Sequence, residues 1–354
     1  ANYGGYMVEY LYDAFGNKVK TQFLGEQALY TYDEMNRAKT VESNGVTTTY
    51  TYDLNGNTAK VETGAVSAEY EFNALNLPVR QTNKAGTATE VNTYSYDALG
   101  RVTEKNENGL VTAYAYDDLG RLSAAAEGER LTEYFYDARS NRVGKTVTEG
   151  EAVLTENYAY DQNGRLLTLT SNGIESAFTY DANGNQINVV KGEETESYVY
   201  DGKNRLLESD INGTENTYSY YPGGLRKTKD GTTYIYDGKN ILAEITAENV
   251  RLNVYGNALL FTVEGTITAA NEVISVSGKI AYAYEFNLHG DVVKVLSVAG
   301  ITLNSYKYDA FGVIVEQSEA VANTFYYSGY EYDSETRLYY LRSRYYNPET
   351  ARFM

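Results

Sequence analysis

The 354-residue sequence has no cysteine and no tryptophan, only three prolines and three methionines, and a single histidine. Without cysteine there is no disulfide and no thiolate metal site, and the redox compartment is left open. His289 has no second imidazole or thiol with which to build a zinc site. No run of 18 apolar residues occurs, so no membrane-spanning helix and no membrane insertion are expected. The opening ANYGGYMVEY lacks the basic stretch and apolar core of a signal peptide, and with no initiator methionine it reads as a cut from a longer chain. Basic residues are also in deficit: 30 Lys and Arg stand against 48 Asp and Glu, a net charge of −18. That balance disfavours nucleic acid, whose phosphates need clustered cations, and anionic membrane surfaces.

Tyrosine fills the gap, with 38 residues against 10 Phe, and glycine is plentiful at 31. A tyrosine ring is broad and flat with one polar end, which suits the half-buried face of a sheet. Many glycines with few prolines fit a long series of paired strands joined by tight turns.

The tyrosines recur on a beat. The aromatic before each turn falls at Tyr12, Tyr32, Tyr52, Phe72, Tyr96, Tyr116, Tyr136, Tyr160, Tyr180, Tyr200, Tyr220 and Tyr236. The steps are 20, 20, 20, 24, 20, 20, 24, 20, 20, 20 and 16, all multiples of four. Adding two residues to each strand of a hairpin adds four and keeps every side chain on its face. A helical repeat gives no reason for such steps.

Two turn signals alternate within each repeat. Tyr96-Asp97-Ala98-Leu99-Gly100-Arg101 and Tyr116-Asp117-Asp118-Leu119-Gly120-Arg121 exemplify the first. Asp at the first position caps the backbone N–H groups of a type I turn, and Gly at the fourth takes the left-handed conformation of a bulge. The second signal is Asn44-Gly45, Asn108-Gly109, Asn172-Gly173, Asn212-Gly213 or Asp230-Gly231, the two-residue hairpin dipeptides. One repeat is therefore two strands of about six or seven residues, each about 20 Å long, with both rings of a Tyr-x-Tyr pair on one face. About 15 repeats give roughly 30 strands and a ribbon ~140 Å long at ~4.8 Å per strand. Closed into one circuit it would be ~45 Å across, too wide for side chains to fill. A coiled ribbon around a hollow, or a sheet wrapped around another chain, is expected, and a solid core least of all. The fold class is all-β.

The beat fails after Tyr236. The next clear turn is Tyr308-Asp309-Ala310-Phe311-Gly312, and the chain ends in GYEYDSETRLYYLRSRYYNPETARF, Gly329 to Phe353. With Asn287-Leu288-His289-Gly290-Asp291, these stretches resemble the repeat-associated core of the RHS family, and the repeats before them resemble its YD repeats. The final run carries the resemblance most specifically, through Gly329, Tyr332, Arg337, Tyr339, Tyr340, Arg342, Arg344, Tyr345 and Tyr346. It implies a YD-repeat array over 1–236 and a core over 237–354. It also implies a β-ribbon coiled into a hollow cocoon, the core capping one end, as in wall-associated RHS proteins, insecticidal toxin C components and the teneurin shell. In bacterial members a toxin domain follows the core, is held inside, and is freed by an aspartyl autoprotease segment. Here Ala351 stands where the family has Gly and Asn347 where it has Asp, and that segment would begin beyond Met354. The expectation is of a non-enzymatic portion of a secreted or surface-borne bacterial shell, without its cutter or cargo. Partners would be a toxin cargo, the rest of the shell, delivery-machine proteins or a second copy end to end. An extracellular adhesion module binding glycans or proteins is the alternative.

No other chemistry stands out. The carboxylates of the repeats sit at turns, where capping explains them, and no pair is marked for acid–base work. No Gly-x-Ser-x-Gly accompanies His289, which reads as a turn residue. Asp53-Leu54-Asn55-Gly56-Asn57 and Asp181-Ala182-Asn183-Gly184-Asn185 share part of a calcium-loop spacing, but Gly falls at the fourth place and not the sixth. Turn chemistry accounts for them, and no cofactor is expected. Arg337, Arg342, Arg344 and Arg352 lie among tyrosines on an acidic chain, an arrangement for internal pairing and ring stacking.

Overall fold

The computed structural model describes residues 1–270 and 273–354. Among them, thirty strands from Glu9–Tyr12 to Ile314–Glu319 form one antiparallel ribbon in which each strand pairs with the next in sequence. No ladder joins the first of these strands to the last among the described residues, so the ribbon is an open coil and not a closed barrel.

Local chemistry dictates the hairpins. Strand Ala88–Tyr96 pairs with Val102–Glu107 through a five-residue turn, with a register shift at Ser95/Tyr96. The N–H of Gly100 donates to the Asp97 carbonyl at 3.0 Å, and Gly100 has φ +78°, the left-handed conformation the bulge requires. At the other end Asn108 and Gly109 have φ +51° and +94°, the pair of positive values of a type I′ turn. Strand lengths of six and seven residues recur, as in Val102–Glu107 and Leu110–Tyr116.

The faces alternate as the period of two demands. In Arg130–Tyr136, Thr132 and Tyr134 are buried while Phe135 is half exposed. The buried face is the concave one, because the ribbon winds back over itself. The Tyr50 hydroxyl accepts the backbone N–H of Asn257 at 3.2 Å. Gln81 Nε2 donates to the Phe286 carbonyl at 2.6 Å, and the Ala65 N–H to the Val298 carbonyl at 3.0 Å. The first two contacts join residues 207 and 205 apart, so one circuit takes about ten repeats. Twenty strands at ~4.8 Å close a loop roughly 30 Å across, tighter than a single circuit of all thirty.

The last strands therefore lie inside the first. In Thr232–Asp237, Asn240–Ile245 and Asn249–Tyr255 residues of both faces are covered. Ile235, Ala243 and Ile245 pack outward against Phe23, Val41 and Tyr50 of the first circuit. Tyr234, Tyr236 and Ile241 pack inward against Phe325, Tyr326 and Tyr339 of the C-terminal segment. The ladder itself runs unbroken past Tyr236. After Glu319 the chain leaves the ribbon and forms a small four-stranded sheet of Glu331–Asp333, Leu338–Tyr340, Tyr345–Asn347 and Arg352–Phe353. Its Leu338, Tyr340 and Tyr345 fill the concavity beside Tyr158, Tyr198 and Tyr218. At this end the coil is closed by its own C-terminal residues, and the cap expected of the core is a sheet seated inside the curl. No helix among the described residues is long and apolar enough to cross a membrane.

Candidate functional site

Two constructions carry the architecture: the turn repeated along the ribbon rim, and the seat of the C-terminal sheet. In the turn each motif residue has its own partner. Asp97 Oδ1 accepts the N–H groups of Leu99 and Arg101, both at 2.9 Å, and its Oδ2 accepts Arg101 Nε at 2.6 Å. The Arg101 guanidinium lies 4.4 Å from the centre of the Tyr116 ring in the next repeat. Tyr116 in turn donates its hydroxyl to the Val102 carbonyl at 2.8 Å. Asp117, Gly120 and Arg121 repeat the arrangement, with Arg121 over Tyr136 and reaching the carbonyl of Asp137 at 3.1 Å. These donors hold the Asp97 carboxyl below the usual aspartate range: the Arg101 backbone N–H contributes most, outweighing desolvation, and the Arg101 side chain adds to it. Asp53 is lowered likewise, first by the Asn57 side chain, so the calcium-like spacing is turn chemistry.

The inter-repeat hydroxyl bond accounts for the steps of four. It spans 14 residues where the step is 20, as for Tyr116. It spans 18 where the step is 24, as in Tyr96 to the Pro78 carbonyl and Tyr160 to the Arg142 carbonyl. It spans 10 at the step of 16, from Tyr236 to Arg226. Length varies only at the opposite end of the hairpin.

The C-terminal sheet is seated by tyrosine hydroxyls and by charge. The turn from Tyr308 to Gly312 folds under it, and its carbonyls accept three hydroxyls: Tyr327 to Ala310 at 3.1 Å, Tyr346 to Phe311 at 2.9 Å and Tyr339 to Gly312 at 2.8 Å. Gly312 has φ +92°, and a Cβ there would meet the Tyr327 ring at 2.6 Å. Gly329, at φ +68°, closes a short turn on the Tyr326 carbonyl. Tyr332 packs between Tyr326 and Tyr339. Arg337 pairs with Glu196 and Glu349, Arg342 donates to the Lys239 carbonyl at 3.0 Å, Arg344 stacks on Phe353 and Arg352 donates to the Gly164 carbonyl at 2.5 Å. His289 stands in its turn with Nδ1 2.7 Å from Asp291 Oδ1 and its ring against Tyr327.

The strongest anchor escaped the sequence reading. Arg226 is fully buried, with Nη1 2.6 Å from Asp333 Oδ2, Nη2 2.5 Å from Glu331 Oε2, and its guanidinium sandwiched near Tyr234 and Tyr340. Lys229 adds a second cation to Asp333 at 3.1 Å. Burial pushes Glu331 up to about 7, against the pull of Arg226. Asp333 goes the other way: Arg226, then Lys229, overcome its desolvation and lower it. The signal was one of position. Arg226 follows the fifth turn residue, where other repeats place inward apolar groups such as Leu166 and Leu206. Lys18 and Arg142 hold the same position; Lys18 pairs with Asp237 and Arg142 donates to the Glu349 carbonyl at 2.8 Å. A basic residue at this inward place marks where inner chain is bound.

The model of the teneurin YD-shell family matches residues 6–154, and the fold extends that likeness to the whole chain. Two crystal structures of TcdB2-TccC3, one lacking the hypervariable C-terminal region, superpose with a TM-score of 0.71 at 18% identity, covering 98% of this chain and 20% of that one. Residues 6–154 match the YD-shell family, and nearly the whole chain carries the RHS/YD-repeat fold. Among curated proteins, a tRNA3(Ser)-specific nuclease WapA of Bacillus spizizenii is 46% identical over 76 residues, and the tRNA nuclease WapA of Bacillus subtilis 43% over 76. That stretch is 21% of this chain and 3% of either relative. The fold over nearly the whole chain is that of a YD-repeat β-shell.

Proposed function

We propose that this chain is the closing end of a shell that encloses and delivers a toxin domain, with 1–236 as the outer array and 237–354 as the core that ends it. The observation that carries this reading is the placement of the rings. Tyr94, Tyr134, Tyr158, Tyr198 and Tyr218 all lie buried on the concave face, so the aromatic ladder lines an interior and is not offered to glycans or proteins outside. A wall that is wet outside and aromatic inside separates contents from surroundings. Met354 packs on the concave face beside Leu166 and Tyr180, so a domain attached after it starts on the inner side. The toxin complexes among the structural relatives support partners drawn from the rest of such an assembly, and with them a secreted or surface location in a bacterium. Enclosure itself is the work, and cleavage chemistry is assigned to none of these residues.

The test is topological. A small protease-sensitive domain is fused after Met354, and the same domain is fused before Ala1 in a second protein. The first is expected to be cut markedly more slowly than the second. Equal rates of digestion sink the enclosing role.

A further inference from the structure

The turns of the ribbon obey a charge rule. Where the first residue is an aspartate, the fifth supplies a donor to its Oδ2, and in five turns that donor is the Nε of an arginine at 2.6–2.7 Å. Where the fifth residue is apolar, the first is uncharged: Asn73 precedes Leu77, and Tyr221 precedes Leu225. Asp309 breaks the rule, because its fifth residue is Val313. Its Oδ1 closes the turn normally, accepting from Phe311 and Val313 N–H at 2.9 and 3.0 Å. Its Oδ2 has no hydrogen bond and no ion pair among the described residues. A partly buried carboxylate without a counter-charge is unfavourable, and a paired one is not.

Asp309 borders a cavity of about 480 Å³ between the outer circuit and the inner hairpins, walled by Tyr114, Tyr116, Tyr308 and Tyr327. Two lysines also line it, and both are already committed: Lys105 to Glu107 at 2.8 Å and Lys307 to Glu127 at 2.6 Å. The remaining combination is one free carboxylate among tyrosine faces, which is what the five fifth-position arginines of the rim find. Arg101, for example, is held between Asp97 and the Tyr116 ring.

We propose that Asp309 and the rings beside it take a guanidinium supplied from outside this chain, the arginine side chain of a polypeptide held within the shell. This rests on the enclosing role above. The planar, weakly hydrated guanidinium suits a stacked, carboxylate-ended site better than an ammonium does.

The probe is N-acetyl-arginine amide, titrated against the whole chain and followed by tyrosine ring signals in NMR, with N-acetyl-citrulline amide as the uncharged isostere. Asp309→Asn is the variant. Asn73 shows that asparagine closes this turn, its Oδ1 accepting from Leu75 and Leu77 N–H at 2.9 and 3.1 Å, so folding is preserved. Saturable perturbation of the rings is expected from the arginine probe, with a dissociation constant on the order of millimolar, as one partly exposed ion pair allows. It should be absent with citrulline and lost in Asp309→Asn. An equal response from the variant or from citrulline overturns the site. If the domain fused after Met354 is shielded while the arginine probe leaves the rings unmoved, the site fails and the enclosing role stands.

Discussion

At the scale of single residues, the chain uses tyrosine as a two-ended part. The ring supplies apolar area to the concave face, and the hydroxyl reaches across to the previous repeat. Tyr116→Phe keeps the ring and leaves the Val102 carbonyl without its donor. A loss of about 1 kcal/mol is expected, read as a lower urea midpoint with an unchanged slope. The arginine at the fifth turn position is replaceable in a defined order. Asn57 and Asn185 fill that place elsewhere and donate to the turn aspartate at 2.8 and 2.7 Å. Arg101→Asn should therefore cost less than Arg101→Ala in thermal unfolding, and equal costs would show that ring stacking, not the turn bond, is what matters. Tyr, Asp and Gly of the motif were legible in sequence because their partners lie within one or two repeats. Arg226 was not, because its carboxylates at Glu331 and Asp333 stand 105 and 107 residues downstream.

At the scale of elements, the hairpin is a closed local problem and its turns announce themselves. Asn108-Gly109 and Asp97 to Arg101 specify both ends of a strand pair before any tertiary contact forms. The seam between circuits is different, since it depends on which hairpin ends meet after about 200 residues of accumulated curl. It was visible only indirectly, in strands such as Asn240–Ile245 whose apolar residues serve two faces instead of one. Gly300 measures the seam. A Cβ there would stand 2.2 Å from the Gly86 nitrogen, at φ +85°. Gly109 has a similar φ of +94° but open space around it. Gly109→Ala should cost about 1 kcal/mol, the strain of a side chain in the left-handed region. Gly300→Ala should cost distinctly more and should raise hydrogen exchange at Ala65 and Gly86, on the facing turns. Equal costs would mean that the circuits separate freely.

At the scale of the whole molecule, the C-terminal sheet and the rim respond to pH in opposite senses. The rim aspartates, Asp97 and Asp53 among them, are held below their ordinary range in the folded chain, so the stability they contribute is present at neutral pH and is lost as pH falls through their folded values. Asp333 behaves the same way. Glu331 is the reverse case. Burial raises it to about 7, with Asp333 and Glu244 adding repulsion and Arg226 opposing. A carboxyl whose folded value lies above its unfolded one contributes most below the ordinary glutamate range of about 4.5, and that contribution is lost as pH rises through about 7. The seat of the sheet should therefore loosen on the alkaline side while the rim still holds. In the wild-type chain, protection of the amides in Leu338–Tyr340 and Tyr345–Asn347, compared at equal intrinsic exchange rate, is expected to decline from pH 5 to pH 8. Glu331→Gln is uncharged throughout and fits the same space, so its decline over that range should be shallower. Glu331→Gln also leaves Arg226 its second carboxylate, Asp333, at 2.6 Å, which keeps the guanidinium paired. Parallel declines in the two proteins would remove Glu331 as the group responsible.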